Sequence, residues 1–271
     1  MSATTERTLE AEIAGTEKAI RHLIGERKAL NSQLAREEAL HKLDVAKLKG
    51  LKAKQKAAVD AGNPNKIPHG DRFIDVSSFQ PNVDFATVHA ARSLGMGQLA
   101  VTKLTEGTSI TDPYGKARIG EIRKAGFPFV GAYCFGHPED SGASMAEHFL
   151  AEWHASGEEL TSSDVVIYDC EVTDGHPAHE VAGAARDFAR EIRKESDARL
   201  WLYGGGPFLH ENGVTLAEYH AHWLPAYVSD PDPYMVFGHD RTIAWQFADG
   251  ASGPTPHVIP GVGSCDVSII L

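Results

Sequence analysis

Val165-Val166-Ile167-Tyr168-Asp169-Cys170-Glu171 is an apolar run of four that ends in two acids one residue apart. A short apolar run bounded by polar residues reads as a strand buried on both faces. On a strand, residues two apart share a face, so the Asp169 and Glu171 carboxylates would lie roughly 6–7 Å apart at about 3.3 Å per residue. Cys170 would point the other way, towards a helix layer. Two carboxyls on one face oppose each other's ionisation, and burial raises at least one pKa. Glycosidic cleavage needs such a carboxyl, one that keeps its proton to donate to a leaving oxygen. An isolated D-x-E pair also arises by chance, and acids at strand ends often cap helices.

Working outward, similar runs recur at Phe73–Val76, Leu99–Leu104, Phe129–Phe135, Leu200–Tyr203, Trp223–Tyr227, Ile243–Phe247 and Val267–Ile270. Helical patterns alternate with them at Asp84–Leu94, Tyr114–Ala125, Ala143–Ala155 and Ala178–Glu195. Strands alternating with helices over some 200 residues predict an α/β fold, a parallel sheet closed into a barrel. Such barrels carry their chemistry at the carboxyl ends of the strands. Acids stand there: Asp75 follows Phe73-Ile74, and Asp266 opens the final run.

The first sixty residues differ in kind. They hold 12 Lys/Arg against 9 Asp/Glu, a net charge of +3, whereas the rest of the 271-residue chain carries −14. All 22 aromatic residues lie at or beyond Phe73, and no proline precedes Pro64. Steps of four and three from Leu9 give Leu9, Ile13, Thr16, Ile20, Leu23, Arg27, Leu30 and Leu34, six of them apolar, which predicts an amphipathic helix with a coiled-coil seam. Beyond Leu34 the register falters, leaving one long rod or a helical hairpin open. Residues 1–61 are therefore expected to form a helical segment, 62–70 a linker around Gly62-Asn63-Pro64-Asn65, and 71–271 the barrel. The apolar stripe within 6–59 is a candidate surface for homo-oligomerisation. Six lysines between Lys42 and Lys56 face one acid, Asp44; they read as a contact for an anionic wall polymer or as a solvated helix face.

Other classes are excluded or disfavoured. An acidic body argues against nucleic acid as the main partner. No run of 18 apolar residues predicts a membrane span. Met1–Glu12 lacks the apolar core of a secretory leader, so synthesis in the cytoplasm is expected. Three cysteines, Cys134, Cys170 and Cys265, form neither a disulfide framework nor a metal pattern. The stretches His176-Pro177-Ala178-His179-Glu180 and His220-Ala221-His222 tempt a metal reading, but neither has a third ligand in evident register, and exposed helix or loop histidines are expected. No metal and no cofactor are expected.

With these residues quoted, the sequence resembles glycoside hydrolase family 25, the Chalaropsis-type muramidases common among bacteriophage endolysins. Asp75-Val76-Ser77-Ser78-Phe79-Gln80 is similar to its opening D-V-S-x-x-Q. Lys103 to Thr108 with Asp112-Pro113 is similar to its second block. Gly131-Ala132-Tyr133-Cys134-Phe135 matches G-A-Y-H-F save for Cys134, and Asp169-Cys170-Glu171 matches D-x-E. Trp223 to Tyr227, Trp245-Gln246-Phe247, and Gly261 to Asp266 follow in family order.

The resemblance implies an irregular, TIM-like β/α barrel that cleaves the β-1,4 bond between N-acetylmuramic acid and N-acetylglucosamine of bacterial peptidoglycan, as a phage lysin made in the host cytoplasm and acting on the wall after release. It makes Glu171 the general acid, Asp169 the residue orienting a participating 2-acetamido group, and Asp75 and Asp266 the rest of an acidic floor. Tyr133, Phe135, Tyr203, Trp223, Tyr227 and Trp245 are candidate sugar contacts, with Gln80, Lys103 and Gln246 as polar ones. Trp245 and Tyr203 read equally well as core, and Lys103 as the partner of a floor acid. Two rivals stay open: a non-catalytic wall-binding or virion structural protein, and a hydrolase of another N-acetyl sugar polymer.

Overall fold

A computed structural model of the chain describes residues 67–271 except Val236 and, before them, Gly15, residues 22–24 and Arg27. The chain divides into two units, Met1–Lys66 and Ile67–Leu271. In the first, the five described residues are helical and exposed, Leu23 and Ile24 showing 61% and 50% of their surface. The other seam positions, the lysine run and most of the expected linker lie outside the described residues. Among the described residues no helix is long and apolar enough to cross a membrane.

The second unit runs β1 (Arg72–Val76), α1 (Phe85–Ala90), β2 (Leu99–Glu106), β3 (Ile110–Thr111), α2 (Gly115–Lys124), β4 (Phe129–Phe135), α3 (Gly142–Ala155), β5 (Val165–Asp169), α4 (Ala178–Glu195), β6 (Arg199–Tyr203), α5 (Gly206–Glu211), β7 (Ala221–Pro225), β8 (Thr242–Asp249), β9 (Val258–Ile259), β10 (Gly263–Ser264) and β11 (Asp266–Ile270). Eight of these strands close a barrel in the order β1, β2, β4, β5, β6, β7, β8, β11. Neighbours are parallel except at β11, which runs antiparallel to both β8 and β1. No helix joins β8 to β11, and short 3₁₀ turns stand between β7 and β8, so the barrel is irregular.

Alternation along each strand builds two cores. Val166, Tyr168 and Cys170 face outward and pack with Phe149, Val181, Phe188 and Ile192 of the helices. Val165 and Ile167 face inward with Phe73, Leu99, Phe129, Trp201 and Trp223. Burial in α4 follows the same logic: Val181, Ala184, Ala185, Phe188, Ala189 and Ile192 recur at helical spacing, and Tyr168 meets Phe188 with ring centroids 4.9 Å apart. Asp84 caps α1, its side chain accepting from the amides of Ala86 and Thr87, both at 3.1 Å.

Several expected boundaries move. Ile67, placed in the linker by sequence, is buried in the inner core, and the Gly70 amide donates to Ile270 O at 2.8 Å. The Asp84–Leu94 helix ends at Ala90 and is followed by a 3₁₀ turn. The Trp223–Tyr227 strand sits earlier, at Ala221–Pro225, because His222 is a buried strand residue and not the exposed histidine expected. Both of its ring nitrogens are occupied, by Thr242 Oγ1 and Gly204 O, each at 2.9 Å. The glycine run at 204–206 leads from β6 into α5.

Candidate active site

The carboxyl ends of the parallel strands surround a cavity of about 260 Å³. Because β11 is antiparallel, its first residue reaches the same end as the last residues of its neighbours. Asp266 therefore stands opposite Asp75 as its cross-strand partner. Asp169 is the last residue of β5. Glu171 lies beyond the strand and not on it, yet the Cys170 amide still donates to Tyr203 O at 2.9 Å, which carries the strand alternation one step further. All four acids line the cavity. Asp75 and Asp169 are 7% and 8% exposed, Asp266 is half-buried, and Glu171 is open to solvent at the mouth.

Their electrostatics follow from depth and crowding. Burial, then Asp266 and Glu171, push the Asp75 carboxyl well above the usual range, while Gln246 pulls it down. Burial, then Glu171 and Asp75, do the same to Asp169. Burial, then the Asp266 charge, raise Glu171, with a hydrogen bond from Asp169 opposing. Asp266 is pushed up to about 6, chiefly by burial, against a hydrogen bond from Asp75. The four carboxyls thus form one crowded acidic cluster, Asp75 beside Asp266 and Asp169 beside Glu171, which retains protons at a pH where free carboxylates have lost theirs.

A neutral network fixes the first pair. The Gln246 amide donates to both oxygens of Asp75, at 3.2 and 3.0 Å, and its carbonyl accepts from Tyr203 OH at 2.6 Å and Tyr227 OH at 2.9 Å. Trp223 Nε1 donates to Ser268 Oγ at 3.0 Å, holding the indole in the inner wall. Tyr133, Phe135, Tyr203, Trp223, Tyr227, Lys103 and Gln246 all line the cavity.

Two predicted contacts do not. Trp245 stands on the outer face of β8, one residue out of phase with Gln246, and its indole donates to Ala226 O at 2.6 Å. Gln80 caps its own loop, accepting the Ser77 amide at 3.1 Å. That loop is pinned from outside by Arg118, which donates to Ser77 O at 2.8 Å and to Gln80 O, and by Asp112, which accepts the Ser78 amide at 2.8 Å. Lys103 pairs with Glu106 and not with a floor acid.

Ser77, Phe79 and Ile167 also line the cavity and were not singled out in the sequence. Ile167 was legible from alternation alone, two residues before Asp169. Cys134, where the resemblance has His, faces outward into the helix-side core and away from the acids. His176 pairs with Glu180 at 2.6 Å, and among the described residues no group of three His, Cys, Asp or Glu converges as a metal site would require.

This geometry can be set beside known proteins. A sequence model described as glycosyl hydrolases family 25 matches residues 74–255, more than half of the chain. The N,O-diacetylmuramidase of Chalaropsis sp is 34% identical over 144 residues, covering 51% of this chain and 64% of that protein's length. The bacterial lysozyme from Streptomyces coelicolor superposes with a TM-score of 0.60 at 23% identity, over 75% of this chain and 93% of its own. The catalytic domain of endolysin ply40 from bacteriophage P40 of Listeria monocytogenes does so with 0.56 at 16% identity, over 76% and 95%. At those identities the two structures speak for the barrel alone. The family match begins within β1 and runs past β8, taking in Asp75, Asp169 and Glu171, and on it the chain belongs to glycosyl hydrolases family 25.

Proposed function

We propose that the chain is an N-acetylmuramidase hydrolysing the β-1,4 bond between N-acetylmuramic acid and N-acetylglucosamine in peptidoglycan. One observation carries this reading: Asp169 and Glu171, both held above the usual carboxylate range, open together into an aromatic-walled cavity, with Glu171 accessible and Asp169 buried behind it. Glu171 delivers its proton to the glycosidic oxygen and is left as a carboxylate, while Asp169 accepts the N–H of the substrate's 2-acetamido group and turns its oxygen onto the anomeric carbon as the glycosidic bond breaks. The Glu171 carboxylate then takes a proton from the water that opens the cyclic intermediate. Asp75 and Asp266 keep that end of the cavity anionic as positive charge develops on the sugar. Tyr227 and Phe79 are exposed at the mouth, 39% and 90%, where sugar rings can stack.

Digestion of purified peptidoglycan tests the reading. Wild type should leave muramic acid at new reducing ends, and Glu171→Gln should lose clearing by at least about a hundredfold. Equal clearing by the variant ends the enzyme reading, and no clearing by wild type favours a non-catalytic wall protein. N-acetylglucosamine at the new reducing end would point to another N-acetyl sugar bond.

The same proposal extends to the amino-terminal unit, in the setting of bacterial host lysis that the motif resemblance implies. Residues 6–59 associate with a second copy through the Leu/Ile stripe, to which the exposed Leu23 belongs. Sedimentation of the full chain and of a Leu23→Glu, Leu30→Glu variant tests this; equal masses refute it. The Lys42–Lys56 stretch holds anionic wall polymer, so replacing Lys47, Lys49 and Lys52 by Gln should weaken wall binding at low salt and leave it unchanged at high salt.

A further inference from the structure

His137 is unused by the chemistry proposed above, yet it stands where the loops after β4 and β5 meet the end of β2. It follows β4 by two residues. Gly136 lies between, with its amide donating to Asp169 O at 2.9 Å; a Cβ there would come within 2.3 Å of the Tyr168 hydroxyl, so only glycine lets the chain turn so close. His137 Nδ1 then meets Asp174 Oδ2 at 2.7 Å and its Nε2 meets Glu106 Oε1 at 3.2 Å.

Both ring nitrogens face carboxylate oxygens. A neutral imidazole has one N–H and can donate to only one of them, turning a lone pair on the other. The arrangement is satisfied only by the imidazolium. Asp174 sits three residues after Glu171, and it is the one described non-glycine residue with a left-handed backbone, φ 46°. A residue in that conformation is held there by its surroundings, and His137 is its side-chain partner.

We propose that His137, as the imidazolium, is a positioning residue for Glu171: it clamps the loop after β5 to the end of β2 by bridging Asp174 and Glu106. This rests on the acid role proposed for Glu171. The clamp continues through Lys103, which pairs with Glu106 and holds its ammonium 5.2 Å from the Phe135 ring centroid in the cavity wall. Four groups of alternating charge therefore link the ends of β2 and β4 to the loop that carries the acid. Glu139 and Asp140 share His137's loop, the Asp140 carboxylate being engaged by the Thr108 amide and hydroxyl, both at 2.9 Å, and His148 of α3 turns its ring nitrogens to Gly107 O and Thr111 Oγ1, each at 3.2 Å. Although partial burial opposes it, hydrogen bonds to Asp174 and Glu106 raise the His137 pKa above 6.5. When the proton leaves, the neutral ring can donate to only one of the two carboxylates, and the link between the loop after β5 and the end of β2 opens.

Steady-state kinetics on soluble glycan fragments across pH, with NMR titration of the His137 ring protons, test the clamp. In His137→Gln, kcat should fall about tenfold while KM changes less than about threefold, because the acid is misplaced and the sugar-binding walls are untouched. One ionisation should vanish from the alkaline limb. Asp174→Asn should do the same, and the double variant should be no worse than either single one. In the wild type His137 should titrate above 6.5 and drop towards it in Asp174→Asn, a readout that needs no enzymatic activity. Unchanged kcat and alkaline limb in both variants, a loss in thermal stability alone, or a wild-type His137 titrating at or below 6.5 overturns the proposal. Failure of the functional reading is separate, because Glu171→Gln decides that.

Discussion

Replacing Asp266 by Asn should make the protein more stable and less active, with a dependence on pH that no packing effect reproduces. Its carboxyl is pushed from 3.8 to about 6, chiefly by burial. The sign follows from linkage: below about pH 3.8 the group is protonated folded or unfolded and exerts no effect. Above about pH 6 the folded protein must hold a charge that its surroundings resist. The difference between 3.8 and about 6 corresponds to about 3 kcal/mol. Asn removes the charge at nearly the same size, so most of that sum should return as stability at neutral pH. For a body of this size it corresponds to about 6–12 °C in Tm. Urea unfolding of wild type and Asp266→Asn at several pH values measures it. The gain should be full near pH 7.5, shrink between pH 6 and 4, and disappear below that. Equal stability at pH 7.5, or a gain that persists unchanged in acid, refutes the reasoning.

Gln246→Leu should cost about 2–5 kcal/mol in the same unfolding assay, because it strips the buried Asp75 and Tyr203 of partners at once; a cost below about 1 kcal/mol would show that water replaces the amide. His222 is buried and neutral with its pKa lowered to about 4, so the unfolded chain gains a proton first, and stability should fall by about 3 kcal/mol as pH drops from about 6.5 to 4. His222→Gln should flatten that slope. Burial pushes the Cys134 and Cys265 thiols up to about 12, and the Cys170 thiol is raised as well. An aromatic disulfide reagent should therefore leave all three unlabelled in the native protein and label three on unfolding; fast labelling of the native chain would contradict this.

The strands were legible because each one covers both a barrel interior and a helix layer, which makes them nearly continuous apolar runs. What failed to show did so for physical reasons. His222 interrupts the apolar run of β7, and only the tertiary partners Thr242 and Gly204 make its burial tolerable. Strand direction leaves no mark on composition, so the reversal of β11 was invisible even though Asp266 was picked out. Trp245 and Gln246 are adjacent, and alternation admits only one of them to the interior; that signal was in the sequence, and it favours Gln246. Gln80 was chosen for its chemistry, but its carbonyl oxygen is occupied by the Ser77 amide in its own loop. Glu106, His137 and Asp174 are far apart in sequence and meet only because β2, β4 and β5 are neighbours in the sheet.

The reversed β11 also has a bearing on how the molecule comes into being. It is the last barrel strand in the sequence, and it alone joins β8 to β1, nearly two hundred residues earlier. A chain emerging from the ribosome can pair its parallel strands in order, but the ring stays an open sheet until β11 is made. The same strand delivers Asp266 beside Asp75 and Ser268 beneath Trp223. Closure of the ring and completion of the acidic floor are therefore one event, so a chain that stops short of β11 has no finished cleft.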